Sequence, residues 1–595
     1  LLIDFFYFFY YNVFIIEEAF MKKFDYEKYE KEKAYFQKKV DTISSIRMLI
    51  FIFMVGSFIL GAKNNYFNYL GILFIIIFVI LIFIHDNYYK KLDYYRKYIA
   101  IINEYIDRIN GKWRNFNDIG EEFSNDLFND LDIVGSNSLF QYLNISRTLG
   151  GRRKFIDLLS NKKASDVKLK ERQEAILELS KKINFVIDFQ VQLQCYKKKE
   201  KDLEKNLELL NKNVGSKKIE LGIAVVCSFI SVLLLLLGWL NLISYNYFYG
   251  FFIFNFLINY MYSYIYRDVF SNITDIASDY SNLLGVYNSI INNNFDSKLL
   301  VKFRQDVLKS KDNIKKLIYI DDLNNLKNNI LSNFLFNGFF CINLIVMYMY
   351  SKFQESDIKN VKKGIIIIEN MEALISLAGL GMVKDNVVIP KISNNVSIHA
   401  VNICHPLLLE KNVVGNDFNS TNGVNVITGS NMGGKTSFLR TIGINLILFS
   451  AGGFVCASEF SSSYFKIYTS MRVSDDIDKG ISTFYGELLR IKKALSDKSD
   501  NRLVLVDEIF KGTNYNDRMY GAYQVMKKLN DNRTILLITT HDFELCDAKI
   551  DNLNNYYFKE YYEGEVIKFD YKIRRGKCDS TNAKYLMKKL GIIDD

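Results

Sequence analysis

Val424-Asn425-Val426-Ile427-Thr428-Gly429-Ser430-Asn431-Met432-Gly433-Gly434-Lys435-Thr436 is the stretch whose reading decides the fold. Val424 to Thr428 reads as a short buried strand. Gly429 to Thr436 fits GxxxxGK[ST], and Ser437-Phe438-Leu439-Arg440 opens a helix behind it. Strand, loop and helix in that order are what a P-loop requires. The glycines let backbone N–H groups turn inward around phosphates at the positive end of a helix. Lys435 supplies a point charge for the β- and γ-phosphates, and the Thr436 hydroxyl is placed for Mg²⁺. The candidate phosphate-binding residues are therefore Gly429, Ser430, Asn431, Met432, Gly433, Gly434, Lys435 and Thr436.

Two further strands lie downstream. Leu503-Val504-Leu505-Val506 ends in Asp507-Glu508, which sets the carboxylates at the end of the strand where ligands bind in parallel α/β sheets. Asp507 would hold Mg²⁺, directly or through water, and Glu508 would polarise the attacking water. Thr534 to Ile538 ends in Thr539-Thr540-His541-Asp542. A histidine at such a strand end either senses the γ-phosphate or serves as a structural cap, and the residues alone leave both open. Between the first two strands lie Ser474-Asp475-Asp476 and Gly480-Ile481-Ser482-Thr483-Phe484, then an amphipathic helix from about Gly486 to Leu495, with Ser482 as its N-cap.

The whole chain has 595 residues, 49% hydrophobic and 24% charged, enough for three or four domains with large cores. Its mean hydropathy of +0.01 is too polar for a protein made mostly of membrane spans. Only Pro390 and Pro406 occur, which fits long uninterrupted helices. The cysteines (Cys195, Cys227, Cys341, Cys404, Cys456, Cys546 and Cys578) are scattered without a CxxC pair. That pattern argues against a disulfide framework or a zinc site and for a reducing compartment. A formal charge of +10 is compatible with nucleic acid, with an anionic membrane surface, or with neither.

Ile46 to Ala62 and Tyr66 to Ile84 are apolar runs joined by Lys63-Asn64-Asn65, and a second pair spans roughly Leu221 to Leu242 and Tyr245 to Tyr264. Each is close to the roughly 20 residues needed to cross a bilayer, so four transmembrane helices are expected. Lysines from Lys22 to Lys39 and Arg47 precede the first pair, and Lys90, Lys91, Arg96 and Lys97 follow it. Lys212, Lys217 and Lys218 precede the second pair, and Arg267 follows it. The positive-inside rule then places the N-terminus, the 86–220 segment and everything after 265 in the cytoplasm of a multi-pass cell-membrane protein. Phe334 to Tyr350 is a weaker apolar run, read here as a buried soluble helix because an extra crossing would export the C-terminal region. Leu1 to Phe20 lacks a basic n-region and fits a signal peptide poorly, and Met21-Lys22-Lys23 reads as a plausible natural start.

The intervening sequence, from Phe123 to about Lys217 and from 266 to 385, is helical in pattern. Ala175, Ile176 and Leu179 share one face, as do Leu203, Leu207 and Leu210. The expected organisation is an N-terminal cytoplasmic segment (1–45), a membrane pair (46–84), a first helical region (85–220), a second membrane pair (221–264), a second helical region (265–394) and an α/β nucleotide-binding domain (395–595).

Taken together, GSNMGGKT, the SDD…GISTF segment, LVLVDEI…GT, TTHD and the closing Phe569-Asp570-Tyr571-Lys572…Gly576…Ser580 to Gly591 resemble the MutS family of ATPases, relatives of the ABC type. Upstream, Glu372 to Ala378 and His405-Pro406-Leu407-Leu408 match segments leading into that ATPase. Gln141 to Leu159 and Glu171-Arg172-Gln173-Glu174-Ala175 resemble the start of the family's helical lever. The resemblance covers roughly 130–217 and 266–595. It implies an α/β P-loop, ABC-like ATPase domain with an all-α lever region, using ATP and Mg²⁺ and working as a homodimer with composite ATP sites. By it, Ser482 and Thr483 reach the γ-phosphate in the partner subunit, and His541 senses nucleotide state.

The departures are specific. No N-terminal mismatch-reading domain with a Phe-x-Glu wedge is visible; Phe353-Gln354-Glu355 has the string in the wrong region. The second membrane pair falls where the family inserts its DNA clamp. Ile509-Phe510-Lys511 stands before Gly512-Thr513 where repair members usually carry Gly-Arg. Two functional classes follow: a DNA-binding ATPase held at the membrane, with double-stranded DNA as a partner, or a membrane mechanochemical ATPase that never touches DNA.

Overall fold

The structure is a computed structural model that describes residues 24–194, 217–326, 329–353, 355–409, 413–430, 432–472, 483–498, 500–563 and 566–578. Leu1 to Phe20, the Leu203/Leu207/Leu210 face, Asn431, Ser474 to Asp476, Gly480 to Ser482 and the closing Ser580 to Gly591 segment lie outside the described residues. Thr483 is described only as the first residue of a helix. Packing divides the chain into two units.

The first unit comprises 1–115 and 182–194. Helix α1 (Tyr26–Gly61) and helix α2 (Tyr66–Ile109) contain the first pair of apolar runs but extend well beyond them. The boundaries expected at 45/46 and 84/85 therefore fall inside continuous helices, as an absence of proline permits. Aromatic side chains bring the two helices together, Phe36 against Tyr95 at 5.4 Å and Phe53 against Phe74 at 6.0 Å between ring centroids. The helix Ile183–Leu193 packs on α2 through Tyr94, whose hydroxyl donates to Asp188 Oδ1 at 2.8 Å, and through Gln190, which donates to the Tyr105 hydroxyl at 2.9 Å.

The second unit holds the helical region and both sheets. Its longer helices before the sheets are α3 (Leu149–Leu159), α4 (Asp166–Lys181), α5 (Lys218–Trp239), α6 (Tyr245–Ile265), α7 (Arg267–Ser281), α8 (Lys298–Asn325), α9 (Ile330–Phe340), α10 (Ile342–Lys352) and α11 (Glu355–Val383). Ala175, Ile176 and Leu179 of α4 are all buried, as their spacing predicts. Glu372 on α11 grips the start of α3: its carboxylate accepts from Arg147 N at 2.6 Å and Thr148 N at 3.1 Å, and from the Thr148 hydroxyl. Gly151 permits that approach, since a Cβ there would lie 2.1 Å from Glu372 Oε2.

The apolar helices differ from expectation in two places. α1, α2 and α5 hold stretches long and apolar enough to cross a membrane, with only 6 to 17% of those stretches buried. α6 forms as expected, but its tyrosines and Asn246, Asn255 and Asn259 keep it below that hydropathy. α11 passes the same test, yet 83% of its stretch is buried, which marks it as a core helix. The second difference is Phe334 to Tyr350, which is not one buried helix. It is two helices, α9 and α10, bent by 77° at Cys341, with Leu331, Phe334, Leu335 and Phe340 of α9 exposed. Cys341 causes the break: it sits at φ 50° in the left-handed region, which interrupts the helical ladder.

The C-terminal part is built on two sheets. The smaller, in order β1 (Lys391–Ile392), β5 (Glu459–Ser462), β2 (Ser397–Ile403), β3 (Asn416–Thr421), has four strands. The larger has six, in order β10 (Val566–Arg575), β9 (Leu553–Glu563), β4 (Gly423–Thr428), β8 (Thr534–Thr539), β7 (Arg502–Asp507), β6 (Lys466–Ser470), parallel except for the β9–β10 hairpin. Alternate residues point to opposite faces. Val424, Val426, Val504, Val506, Leu536 and Ile538 pack under α13 (Thr483–Ser496) and α14 (Tyr515–Leu529). On the other face Leu505 meets α12 (Lys435–Ala451), where Gly443 leaves room for it and for Leu131. Arg172 of α4 donates to Ala451 O at 3.0 Å and so covers the C-terminal end of α12.

Candidate functional site

Register assembles the site. β4, β8 and β7 are adjacent and parallel, and Thr539 stands opposite both Ile427 and Asp507. The loop after β4, the Asp507-Glu508 pair after β7 and the Thr540-His541 pair after β8 therefore leave the sheet at the same edge, as open α/β sheets require of a ligand site.

The loop is shaped by backbone that only certain residues tolerate. Gly429 has φ 137°, and a Cβ there would meet the Phe558 carbonyl oxygen at 2.6 Å. Met432 (φ 72°) and Gly434 (φ 107°) are also left-handed, and Gly433 N donates to Ser430 O at 3.2 Å. Lys435 is buried, and its ammonium donates to Gly429 O at 2.7 Å and Ser430 O at 3.0 Å. Burial lowers its pKa, with Glu508 and Asp507 opposing.

Asp507 is the centre of a hydroxyl cluster. The Thr436 hydroxyl lies 3.0 and 2.8 Å from its two oxygens, and the Thr539 hydroxyl donates to Oδ1 at 2.6 Å. Thr539 Oγ1 also accepts from Glu508 N at 2.9 Å, so one threonine orients both acids. Glu508 takes φ 52°, which turns its carboxylate back toward the loop. There it lies 2.5 Å from Lys511 Nζ and 3.2 Å from His541 Nε2. Burial pushes the Glu508 carboxyl up, and Lys511 and His541 more than reverse that, so it lies below its ordinary range. His541 Nε2 is also 3.5 Å from Lys435 Nζ. Burial, then the Lys435 charge, holds the imidazole below its ordinary value, hence neutral near pH 7. The next residue, Asp542, is held by Arg518 through Nε at 2.8 Å and Nη2 at 3.0 Å.

Lys435, Thr436, Asp507, Glu508 and His541 are thus brought together with Gly429, Ser430, Met432, Gly433 and Gly434, while Asn431 and Ser482 lie outside the described residues. Thr539, Lys511, Arg518 and Glu487 are additional. Glu487 of α13 accepts from Phe510 N at 2.8 Å, and Phe484 packs edge-on to Phe510 at 5.7 Å. Phe510, at φ 57°, is the second left-handed residue after β7, so α13 holds the loop that carries Glu508. A cavity of about 370 Å³ lies among Phe484, Glu487, Asp507, Glu508 and Lys511. Another of about 380 Å³ lies beside the loop, walled by His405, Asn416, Gly434, Phe438, Phe558 and Tyr571.

The residues fit a phosphate chain with a hard divalent cation. Ser430 Oγ is buried without a protein partner, Gly429 and Gly434 supply the positive-φ backbone that turns the loop, and Thr436 and Asp507 present the oxygen ligands Mg²⁺ prefers.

Residues 425–590 match the family model for MutS domain V. The chain is 31% identical over 217 residues to the endonuclease MutS2 of Clostridium novyi, covering 36% of this chain and 27% of that protein. It is 31% identical over 254 residues to the DNA mismatch repair protein MutS of Caldicellulosiruptor saccharolyticus, covering 40% and 29%. It is 35% identical over 198 residues to the DNA mismatch repair protein MSH3 of Vanderwaltozyma polyspora, covering 31% and 19%. The chain therefore spans less than a third of the length of these curated relatives.

Proposed function

We propose that this chain is a membrane-anchored MutS-like ATPase, hydrolysing ATP in composite sites of a homodimer. The observation that carries the reading is the meeting of Lys435, Thr436, Asp507, Glu508 and His541 at the ends of adjacent parallel strands. In it Lys435 and the loop amides bind the β- and γ-phosphates. Thr436 and Asp507 hold Mg²⁺, which supplies charge neutralisation to those phosphates. Glu508, kept ionised, orients the attacking water and accepts its proton. Neutral His541, between Lys435 and Glu508, registers the state of the nucleotide. Ser482 and Thr483 complete the partner subunit's site.

The membrane part of the proposal rests on the exposed apolar stretches of α1, α2 and α5, with α6 as the fourth crossing and the ATPase domain cytoplasmic. ATP-dependent DNA binding is the form of the activity that the likeness to MutS and the positive charge favour, and mismatch reading is not part of the proposal. A mechanochemical role without DNA is the second reading. It is favoured by chain continuity, because α10 runs almost directly into α11, the helix whose Glu372 grips α3. The deciding experiment is Mg²⁺-dependent ATP hydrolysis by the purified full chain with and without duplex DNA at fixed salt. Stimulation by duplex supports the first reading, hydrolysis indifferent to duplex supports the second, and no hydrolysis in either case removes both.

A further inference from the structure

α9 and α10 have eleven residues each, so each is about 17 Å long, roughly half the hydrocarbon thickness of a bilayer. Neither can cross alone. Yet the outer face of α9 is apolar and open, with Leu331 67% exposed beside Leu335 and Phe340. The surfaces of α5 and α6 next to it are of the same kind, as at Leu233, Leu236, Phe254 and Leu257. A contiguous apolar surface of that sort is what hydrocarbon covers and water does not.

The inner face is fitted to α6. The Phe334 and Phe339 rings lie 4.9 and 5.3 Å from Phe252, and a Cβ on Gly338 would strike that ring at 2.2 Å. Several polar groups at the break are taken up inside protein, while the side-chain oxygens of Asn255, Asn259 and Asn343 are buried without a hydrogen-bond partner. Asn255 of α6 donates to Ser231 Oγ at 3.0 Å and to Gly338 O at 3.1 Å. Asn343 donates to Asn259 O at 3.2 Å, and its N–H to Asn337 Oδ1 at 3.2 Å. All four asparagines are buried. Broken helix at membrane depth is tolerated only when its backbone is satisfied by neighbouring protein in this manner.

Entry and exit lie on one side. Before α9, Asn324 of α8 donates to Phe270 O at 3.1 Å and to Thr274 Oγ1 at 2.8 Å, just beyond Arg267 at the start of α7. After α10, α11 returns along the same α8, with Asp357 3.5 Å from Lys316 and Lys363 2.9 Å from Asp306. A crossing would have separated these two helices by the thickness of a membrane.

We propose that α9 and α10 form a re-entrant hairpin that dips into the bilayer against α5 and α6 and returns to the face it entered. Its partner is the acyl-chain region of the cytoplasmic leaflet. The proposal rests on the membrane reading of α5 and α6, and it keeps α11 and the ATPase domain on the Arg267 side.

The test uses Phe336→Cys on α9, Lys352→Cys at the end of α10 and Leu233→Cys on α5, each in the full chain in membrane vesicles. Labelling by a membrane-impermeant maleimide is read above the unsubstituted protein, and ATP hydrolysis in the same vesicles reports folding. Lys352→Cys should label in inverted vesicles and not in right-side-out ones. Phe336→Cys should label at least about tenfold more slowly than Lys352→Cys until detergent is added, because thiols in hydrocarbon are shielded. Lys352→Cys labelled in right-side-out vesicles would mean a crossing and overturn the hairpin. Phe336→Cys labelled as fast as Lys352→Cys in inverted vesicles would also overturn it, by placing α9 in water. If Leu233→Cys stays shielded in that case, only the hairpin fails; if it too labels freely, the membrane reading of α5 fails with it.

Discussion

Lys435 shows how few atoms the proposed nucleotide site depends on. Its ammonium is buried against the carbonyls of its own loop and would be the main side-chain charge on the phosphates. Lys435→Ala should abolish ATP binding, and an unchanged affinity in a titration with labelled ATP would refute the site. Glu372 gives a pH dependence. Burial pushes its carboxyl from 4.5 up to about 7, despite the hydrogen bonds from Thr148 and Arg147. Between those values the folded chain holds a proton that the unfolded chain has released, so this group's contribution to stability is present at pH 4.5 and lost as pH rises toward 7. Glu372→Gln cannot ionise there. Its melting temperature should change less between pH 5 and 7.5 than that of the parent, and an unchanged pH slope would mean Glu372 does not titrate in that window. At this scale the meeting of Lys435, Thr436, Asp507, Glu508 and His541 was legible because each sits in a contiguous motif at a strand end. Thr539 and Lys511 lay inside quoted motifs without a role, since only register and the left-handed turn at Glu508 bring them to the acids. Glu487 and Arg518 reach the site from helices, and no sequence spacing encodes that.

Between elements, Asp130 is the clearest joint. It is fully buried at the end of the short helix Asp126–Asp130 and accepts from Met471 N at 3.2 Å, Arg472 N at 3.0 Å and Arg490 Nη1 at 2.9 Å. It thereby ties that helix to the end of β6 and to α13. Asp130→Ala should cost about 3 kcal/mol, because it leaves two amides and one arm of the Arg490 guanidinium without their acceptor, Asp126 keeping the other arm. The check is a lower urea midpoint for the detergent-solubilised chain, with Asp130→Asn falling between; equal midpoints would show the joint is solvated. Strands β4, β7 and β8 were readable from apolar runs of strand length. The break between α9 and α10 was not, because an apolar run looks alike whether it continues as helix or turns. Asn337 and Gly338 within it were the only hint. α6 shows the converse, with a run of span length whose asparagines serve α5, α9 and α10.

For the whole molecule, two units, two apolar pairs and an α/β domain follow from one chain that is nearly free of proline. In the DNA-binding reading, contact runs through basic side chains on phosphates, which carry no pairing information. Affinity for matched and mismatched duplexes, compared at one salt concentration, should then agree within about tenfold, or about 1.4 kcal/mol. A larger preference for the mismatch would reveal a recognition element elsewhere in the chain. A nucleotide site and membrane helices in one polypeptide are the central proposal, and one measurement reads both: Mg²⁺-dependent ATP hydrolysis on alkali-washed inverted membrane vesicles carrying either the parent chain or Glu508→Gln. The parent vesicles should keep their activity through the wash, and Glu508→Gln should lower it at least about a hundredfold, the range for losing a general base. Activity lost with the wash, or equal in the two vesicle preparations, would contradict the account.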